Sequence, residues 1–424
     1  MQVFHNRRVL LLTEEYPPVL GGIQNYLSEL MDQLKPDHTI VITQKRNDCD
    51  VWDKEQKYKI IRVNMHGFSI PRWRSAMNVL EETVKEFKPE IIVCGKALFE
   101  GRAALKICKK YQIPYVVMTY GMEINTWLKT EKTKRDLLNV CDQAERIFVI
   151  NDEIKTVLTN FLRLSRLAHS NRWAMAPAFA KAMAGRRKDD GSGGNRVDEN
   201  KFVKMYPGVD EFYGMTPANG DEIATHRPSQ PMGDGSQRRR HTIVSVCRLV
   251  HRKGIDVVIN AVNEIKKKIP NIKYIIIGDG PEKTALEQLV KKLGLEDNVE
   301  FFGKASNEKI LEVYQKSDLF VMTPRNEEGN MEGFGIVYLE AAMAGLCAVG
   351  SKSGGVPEAV LDRQTGLLAN ENDVDDTAVQ VLKLLQDDGL RKQLGDNAKK
   401  RASDEFSWMK RAVLFRGVIE SVVK

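Results

Sequence analysis

The sequence predicts an α/β protein built from two doubly wound parallel-sheet domains, and three observations carry that prediction. Short apolar runs of four to seven residues, RVLLLT, HTIVIT, KIIRVN, IIVCG, YVVMTYG and RIFVIN, alternate with helical patterns through the first half. Strands covered by helices on both faces read as near-continuous hydrophobic runs, whereas half-exposed strands alternate. After residue 240 the alternation restarts with TIVSVCRL, KYIIIG, VEFFG and LFVMT. Finally, 424 residues exceed what one ordinary core organises. Open parallel sheets bind ligands at the carboxyl ends of their strands. Two Rossmann-like domains facing a central cleft would therefore pool two sets of strand-end loops.

In chain order, residues 1–213 are expected to form the N-terminal domain, 214–240 a linker, 241–405 the second domain and 406–424 a C-terminal helix packing back toward the first. The linker expectation rests on GMTPANGDEIATHRPSQPMGDGSQRRR, which is too long and polar for a buried connection. Within the first domain an irregular insertion is expected over about 163–201. From Ile154 to Lys188 there is no acid, whereas Lys155, Arg163, Arg166, Arg172, Lys181, Arg186, Arg187 and Lys188 are basic, with Trp173 and Phe179 among them. The run reads either as a surface insertion or as a contact with an anionic membrane or a partner. Pro177 argues against one continuous interfacial helix.

Composition narrows the function classes. A hydrophobic fraction of 42% with 29% charged residues fits a globular chain, and no apolar run approaches the roughly 18 residues of a membrane span. The opening MQVFHNRRVLLLTEE runs into acids and a strand pattern, so no signal peptide is expected there. Six scattered cysteines point to free thiols in a reducing compartment, and against zinc or a disulfide framework. The expected location is the cytoplasm, with peripheral contact at the inner face of the membrane. A net charge of +7 suits phosphorylated ligands and is too small to argue for nucleic acid.

Several loops carry chemistry. After the first strand, Gly21 and Gly22 precede a helix, where a phosphate can approach backbone N–H groups; such a pair also serves ordinary tight turns. In SVCRLVHRKGID, Arg248 follows a strand and Lys253 lies five residues later, one planar and one compact cation for a diphosphate. Arg252 reads as a solvated loop residue. IIIGDGPEK lacks the third glycine of a dinucleotide fingerprint, since Lys283 stands there, so Gly278 and Gly280 read as a tight βα turn. In NMEGFGIVYLEAAMAG a helix is expected near Phe334, itself counted among the donor contacts, leaving the N–H groups of Gly335, Ile336 and Val337 as an anion site. Glu332 stands just before it and Glu340 roughly 7 Å further along the axis. Carboxylates repel phosphate and accept hydrogen bonds from hydroxyls. The pair therefore suits a diphosphate lying between two hydroxyl-bearing rings, a nucleotide sugar.

These residues carry a family resemblance. GG at 21–22, PGVD at 207–210, RLVHRKG at 248–254, IGDGP at 277–281, EGFGIVYLEAAMAG and SGGVPE occur in order. The chain resembles a retaining glycosyltransferase of the GT4 family with the GT-B fold, over nearly its whole length except the two irregular stretches. The resemblance implies that Glu340 binds ribose hydroxyls and Glu332 donor-sugar hydroxyls. It implies that Arg248 and Lys253, with the amides of Gly22 and of Gly335 to Val337, hold the diphosphate, and that the base lies by Gly303 and Lys304. The leaving diphosphate would take the acceptor's proton, without metal or cofactor. Tyr120 stands where the family often has His, in MTYGMEI, and can donate a hydrogen bond but carry no charge near neutral pH. Somewhat like lipid mannosyltransferases, the chain is expected to use GDP-mannose, with UDP-glucose and UDP-N-acetylglucosamine open, and a lipid-linked, saccharide or small hydroxyl acceptor. The alternative is a sugar-nucleotide-binding protein with little activity.

Overall fold

The computed structural model describes residues 7–19, 21–47, 49–65, 74–121, 127–170, 197–215, 241–327 and 330–423, without the side chains of 74, 75 and 166–170. It divides into two compact units, Met1–Tyr206 with Trp408–Lys424, and Pro207–Ser407.

The first unit is built on seven strands: β1 (Val9–Thr13), β2 (Thr39–Gln44), β3 (Lys59–Val63), β4 (Ile91–Cys94), β5 (Tyr115–Thr119), β6 (Arg146–Val149) and β7 (Phe202–Lys204). All pairings are parallel, in the order β3-β2-β1-β4-β5-β6-β7. Every residue of β1, β2, β4 and β5 is buried, which is why these strands read as uninterrupted apolar runs. The crossovers carry α1 (Gly22–Asp32), α2 (Cys49–Glu55), α3 (Arg74–Phe87), α4 (Phe99–Tyr111), α5 (Glu131–Gln143) and α6 (Asp152–Ser170). A Thr130–Thr133 capping box starts α5, and the Asn151 side chain accepts from the Ile154 N–H at the start of α6 (2.7 Å). The chain leaves β1 toward β2 on one side and returns to β4 on the other. The gap between the loops after β1 and β4 is thus the switch point of this sheet.

The second unit repeats the plan with β8 (Thr242–Val246), β9 (Lys273–Ile277), β10 (Val299–Gly303), β11 (Leu319–Val321), β12 (Ala348–Ser351) and β13 (Gly366–Ala369), in the parallel order β10-β9-β8-β11-β12-β13. Its helices are α7 (Ile255–Lys266), α8 (Lys283–Leu293), α9 (Asn307–Lys316), α10 (Ile336–Met343), α11 (Val356–Ala359), α12 (Val374–Gln386) and α13 (Asp388–Phe406). Ser306, Asp373 and Asp387 each cap the helix that follows them. The switch point here lies between β8 and β11. The last helix, α14 (Trp408–Val422), belongs to the first unit, where Phe415 packs on Phe148 and Trp408 on Tyr26 at 5.6 and 5.8 Å between rings.

Three boundaries differ from the sequence expectations. Pro207–Tyr213 goes with the second unit, because Tyr213 is buried against Tyr314 of α9. Phe406, expected in the C-terminal helix, ends α13 and is fully buried there. The insertion expected from 163 begins later, since α6 continues to Ser170 with Ile154, Leu158, Phe161 and Leu162 on its buried face. Residues 171–196, and 216–240 of the expected linker, lie outside the described residues.

Candidate functional site

At the switch point of the second sheet, the two loops touch through backbone. Gly254 sits at φ 68°, and a Cβ there would collide with the Thr323 carbonyl. The Thr323 hydroxyl donates back to the Gly254 carbonyl at 3.2 Å, and the Arg325 N–H donates to the Arg252 carbonyl at 2.8 Å. The GDG turn supports the same loop from the other side. Side chains at Gly278 or Gly280 would collide with the carbonyls of Cys247 and Leu249, while the Leu249 N–H donates to Asp279 at 2.9 Å. These glycines therefore serve close backbone packing.

This packing delivers two cations to one carboxylate. Arg252 Nη1 donates to Glu332 Oε2 at 3.0 Å, and Lys253 Nζ donates to the same oxygen. All three side chains are nearly buried, at 14%, 12% and 10% exposure. Burial works to raise the Glu332 pKa, but the charges of Lys253 and Arg252 outweigh it and hold the carboxyl below its ordinary value. SGGVPE fixes the acid's backbone: the Gly355 N–H donates to the Glu332 carbonyl at 2.9 Å, and a side chain on Gly354 (φ 55°) would strike the same backbone. Arg248, by contrast, is exposed, with no side-chain partner among the described residues. Arg252, read from the sequence as a solvated loop residue, is instead nearly buried against Glu332.

Helix α10 begins at Ile336, two residues later than expected. Gly335, at φ 81°, is its N-cap, without a capping side chain. The Ile336 and Val337 N–H groups therefore point out of an uncapped helix end, where an anion is stabilised. Phe334, expected among the ligand contacts, is a core residue stacked on Phe406 with ring centroids 5.5 Å apart. Glu340 interrupts a helix whose Tyr338, Leu339, Ala341, Ala342 and Met343 are buried. Burial pushes its carboxyl up to about 7; a long hydrogen bond from the Tyr314 hydroxyl (3.5 Å) works against the rise and the Asp210 charge adds to it. Gly303 ends β10 at φ 80° with open space beside it, and Lys304 after it is exposed.

The first unit holds the remaining expected residues. Gly21 precedes α1 and Gly22 begins it, and a Cβ on Gly22 would meet nothing within 4 Å. Tyr120 is a core side chain, 4% exposed, edge-on to Tyr26 at 5.9 Å, with its hydroxyl directed to Met118 Sδ at 3.6 Å. The rest of that motif, 122–126, lies outside the described residues.

Sequence reading missed the acidic group at the switch point of this sheet. Lys96, after β4, reaches Glu15, after β1, at 3.0 Å, and Gln24 of α1 donates to the other Glu15 oxygen. Glu100 of α4 is wholly buried and accepts from the Glu14 N–H at 3.0 Å. Burial, then the charge of Glu14, lifts its carboxyl to about 8 against the opposing pull of Lys96. The signal was available: acids directly after β1, and a Lys directly after β4, become neighbours in any doubly wound sheet.

Comparison with known proteins bears on the family and the fold. The family model described as "Glycosyl transferases group 1" matches residues 230–401. Over 420 residues the sequence is 32% identical to an uncharacterized glycosyltransferase of Methanocaldococcus jannaschii, covering 97% of this chain and 98% of the relative. It is 28% identical over 411 residues to a GDP-mannose-dependent alpha-(1-6)-phosphatidylinositol monomannoside mannosyltransferase of Mycolicibacterium smegmatis, covering 95% of this chain and 96% of the relative. Among solved structures, Anabaena HepE in complex with UDP matches with a TM-score of 0.73 at 17% identity, over 98% of this chain and 100% of that one. That last likeness is one of fold.

Proposed function

The chain belongs to the group 1 glycosyl transferases, and on that footing we propose that it moves a hexose from a nucleotide sugar to a hydroxyl acceptor with retention of the anomeric configuration. One observation carries the reading: Lys253 and Arg252 converge on Glu332 beside the uncapped N-terminus of α10, at the strand ends where such sheets bind ligands. The diphosphate is held by Lys253, by Arg248 closing from the surface, and by the N–H groups of Gly335, Ile336 and Val337. Glu332 accepts hydrogen bonds from donor-sugar hydroxyls and Glu340 from the ribose. The base lies by Gly303 and Lys304.

Charge then governs the reaction. As the glycosidic bond lengthens, negative charge develops on the leaving diphosphate, where two cations and a helix end are already oriented to meet it. The acceptor hydroxyl attacks from the face the diphosphate leaves and passes its proton to a diphosphate oxygen, so the site needs no separate base and no metal. GDP-mannose is the favoured donor and a lipid-linked hydroxyl the favoured acceptor, by analogy with the mannosyltransferase relatives. Among the described residues no helix is long and apolar enough to cross a membrane. A lipid acceptor would be reached by contact at the membrane surface, for which the basic run 154–188 is the candidate.

A thermal-shift screen with GDP, UDP, ADP and their common sugars, followed by turnover with an acceptor panel, tests this reading. Stabilisation of about 2.7 kcal/mol is expected at 100 times the dissociation constant. Binding without turnover under any condition would instead favour a sugar-nucleotide-binding protein, the reading that the buried Tyr120 supports.

A further inference from the structure

We infer that Arg252 is a positioning residue: it keeps the Glu332 carboxylate in place when Lys253 turns from that carboxylate to the donor's diphosphate. The inference rests on the functional reading above and assigns a role to a cation to which that reading gives no part in holding the donor.

The geometry separates the tasks of the two cations. Both donate to Glu332 Oε2, and Oε1 has no partner among the described residues. One oxygen therefore carries all the neutralising contacts while the other stays available to a sugar hydroxyl. A diphosphate brings more negative charge than one carboxylate, so it will draw off the cation that can move. Lys253 is that cation, since its ammonium is a point charge on a flexible stem without directional demand. Arg252 is fixed at its backbone. It sits in the His251–Lys253 turn, closed by the Gly254 N–H on the His251 carbonyl at 3.1 Å, and its own carbonyl accepts from the Arg325 N–H at 2.8 Å. Arg325 is held in turn by Asp256 and, at 3.0 Å, by His251 Nε2.

The surroundings of Glu332 show what Arg252 prevents. From the loop after β8 it faces Lys253 and Arg252. From the end of β8 it faces Cys247 and from α10 Tyr338, both of which burial pushes up so that they remain neutral. Once Lys253 has moved, Arg252 is the cation left to oppose the burial of this acid. Without it the carboxyl would take up a proton, lose its acceptor character at one oxygen and lose the anchor of its side chain.

The test uses the full-length protein with Arg252→Gln and Arg252→Lys. GDP and UDP dissociation constants are measured first, then acceptor-independent hydrolysis of GDP-mannose and UDP-glucose from pH 5 to 9. For Arg252→Gln, nucleotide affinity should stay within about twofold. Turnover should fall on the acid side and recover as pH rises, by up to about tenfold where the acid limb is fully developed, the limb moving up by about one unit. Arg252→Lys should restore most of the rate and return the limb. A rate loss independent of pH, unrepaired by Lys, would reduce Arg252 to a structural role. A tenfold loss of GDP or UDP affinity with turnover unchanged would make it a diphosphate ligand. Either outcome overturns the inference. Absence of nucleotide binding by the parent protein overturns the functional reading itself, and the inference with it.

Discussion

At the carboxyl edge of the first sheet, the loops after β1 and β4 gather Glu14 and Glu15 with the cation Lys96, beside Glu100 at the start of α4. At the same edge of the second sheet, the loops after β8 and β11 gather Arg252, Lys253 and Arg325 with Glu332. Strand order around the two switch points is the same, yet the charge balance is reversed. Two buried carboxyls record the reversal. Glu100, placed near another acid, is pushed up to about 8, whereas Glu332, placed against two cations, is held below its ordinary value. The frame thus decides where a ligand can bind, and the loop residues decide its charge. On the proposed reading a diphosphate belongs at the second switch point. The first would repel it and suits a hydroxyl-bearing ring.

The largest effect should come from removing the cation each loop contributes. Lys253→Met should lower donor turnover by about 10²–10³-fold, the cost of losing one preorganised group opposite developing charge. Lys96→Met should leave acceptor-independent donor hydrolysis within about threefold and raise the acceptor KM. Equal loss of donor hydrolysis in both variants would break the division between the two edges.

Glycine substitutions should separate the edges by stability. Gly254→Ala forces a left-handed position and a collision with the Thr323 carbonyl, so a cost of about 3 kcal/mol in thermal or denaturant unfolding is expected. Gly22→Ala meets open space and should change stability by less than about 0.5 kcal/mol. If it raises the KM for the nucleotide sugar at unchanged stability, the Gly21–Gly22 turn lies against the donor.

How far the two edges were legible in the sequence follows from the range of the interactions involved. The sheets were legible because buried parallel strands are locally apolar, and the loops that follow β8 and β11 because their glycines and charges sit within a few residues of one another. That Arg252 turns inward was not, since the turn at His251–Lys253 and the contact between Gly254 and Thr323 decide it, across about seventy residues of chain. The dependence of Glu332 on Gly354 and Gly355 was hidden for a similar reason, because it is a backbone contact between two separate loops. Phe334 and Tyr120 were read as ligand contacts on position in a motif, and burial against Phe406 and Tyr26 overrides that position.

The opposed carboxyl shifts predict opposite mutational signs. Glu100 keeps its proton when folded and loses it when unfolded, over the window from the ordinary value of 4.5 up to about 8. The unfolded state therefore binds fewer protons there, and the parent loses stability as pH rises through the window. Glu100→Gln should be nearly neutral at pH 4.5 and increasingly more stable than the parent up to pH 8, by about 2 kcal/mol. Glu332→Gln should be less stable than the parent at pH 7 by about 3 kcal/mol, since it strands two nearly buried cations. The same sign for both at pH 7 would mean that the two edges do not differ electrostatically as the geometry implies.

The smallest effect expected concerns Glu340, which lies in the cationic unit yet behaves like the acids of the first. Burial pushes its carboxyl up to about 7, where Asp210 adds and the Tyr314 hydroxyl subtracts, and no cation is among the causes. A carboxylate that accepts from ribose hydroxyls must be ionised, because the protonated form offers one oxygen as a donor. Affinity for an intact nucleotide sugar, whose diphosphate does not titrate in this range, should be flat above pH 7 and weaken below it. The limiting slope is about tenfold per pH unit, 1.36 kcal/mol. Glu332 stays charged over the same interval, and the part of the pH dependence lost in Glu340→Gln separates Glu340 from Glu100, whose carboxyl is pushed up to about 8. Calorimetric titration of GDP-mannose and UDP-glucose at pH 6 and 8 measures it, with Glu340→Gln as the reference that should be weaker at pH 8 and pH-independent. A slope that survives in Glu340→Gln would remove this residue from the ribose and leave it a buried acid of α10 alone.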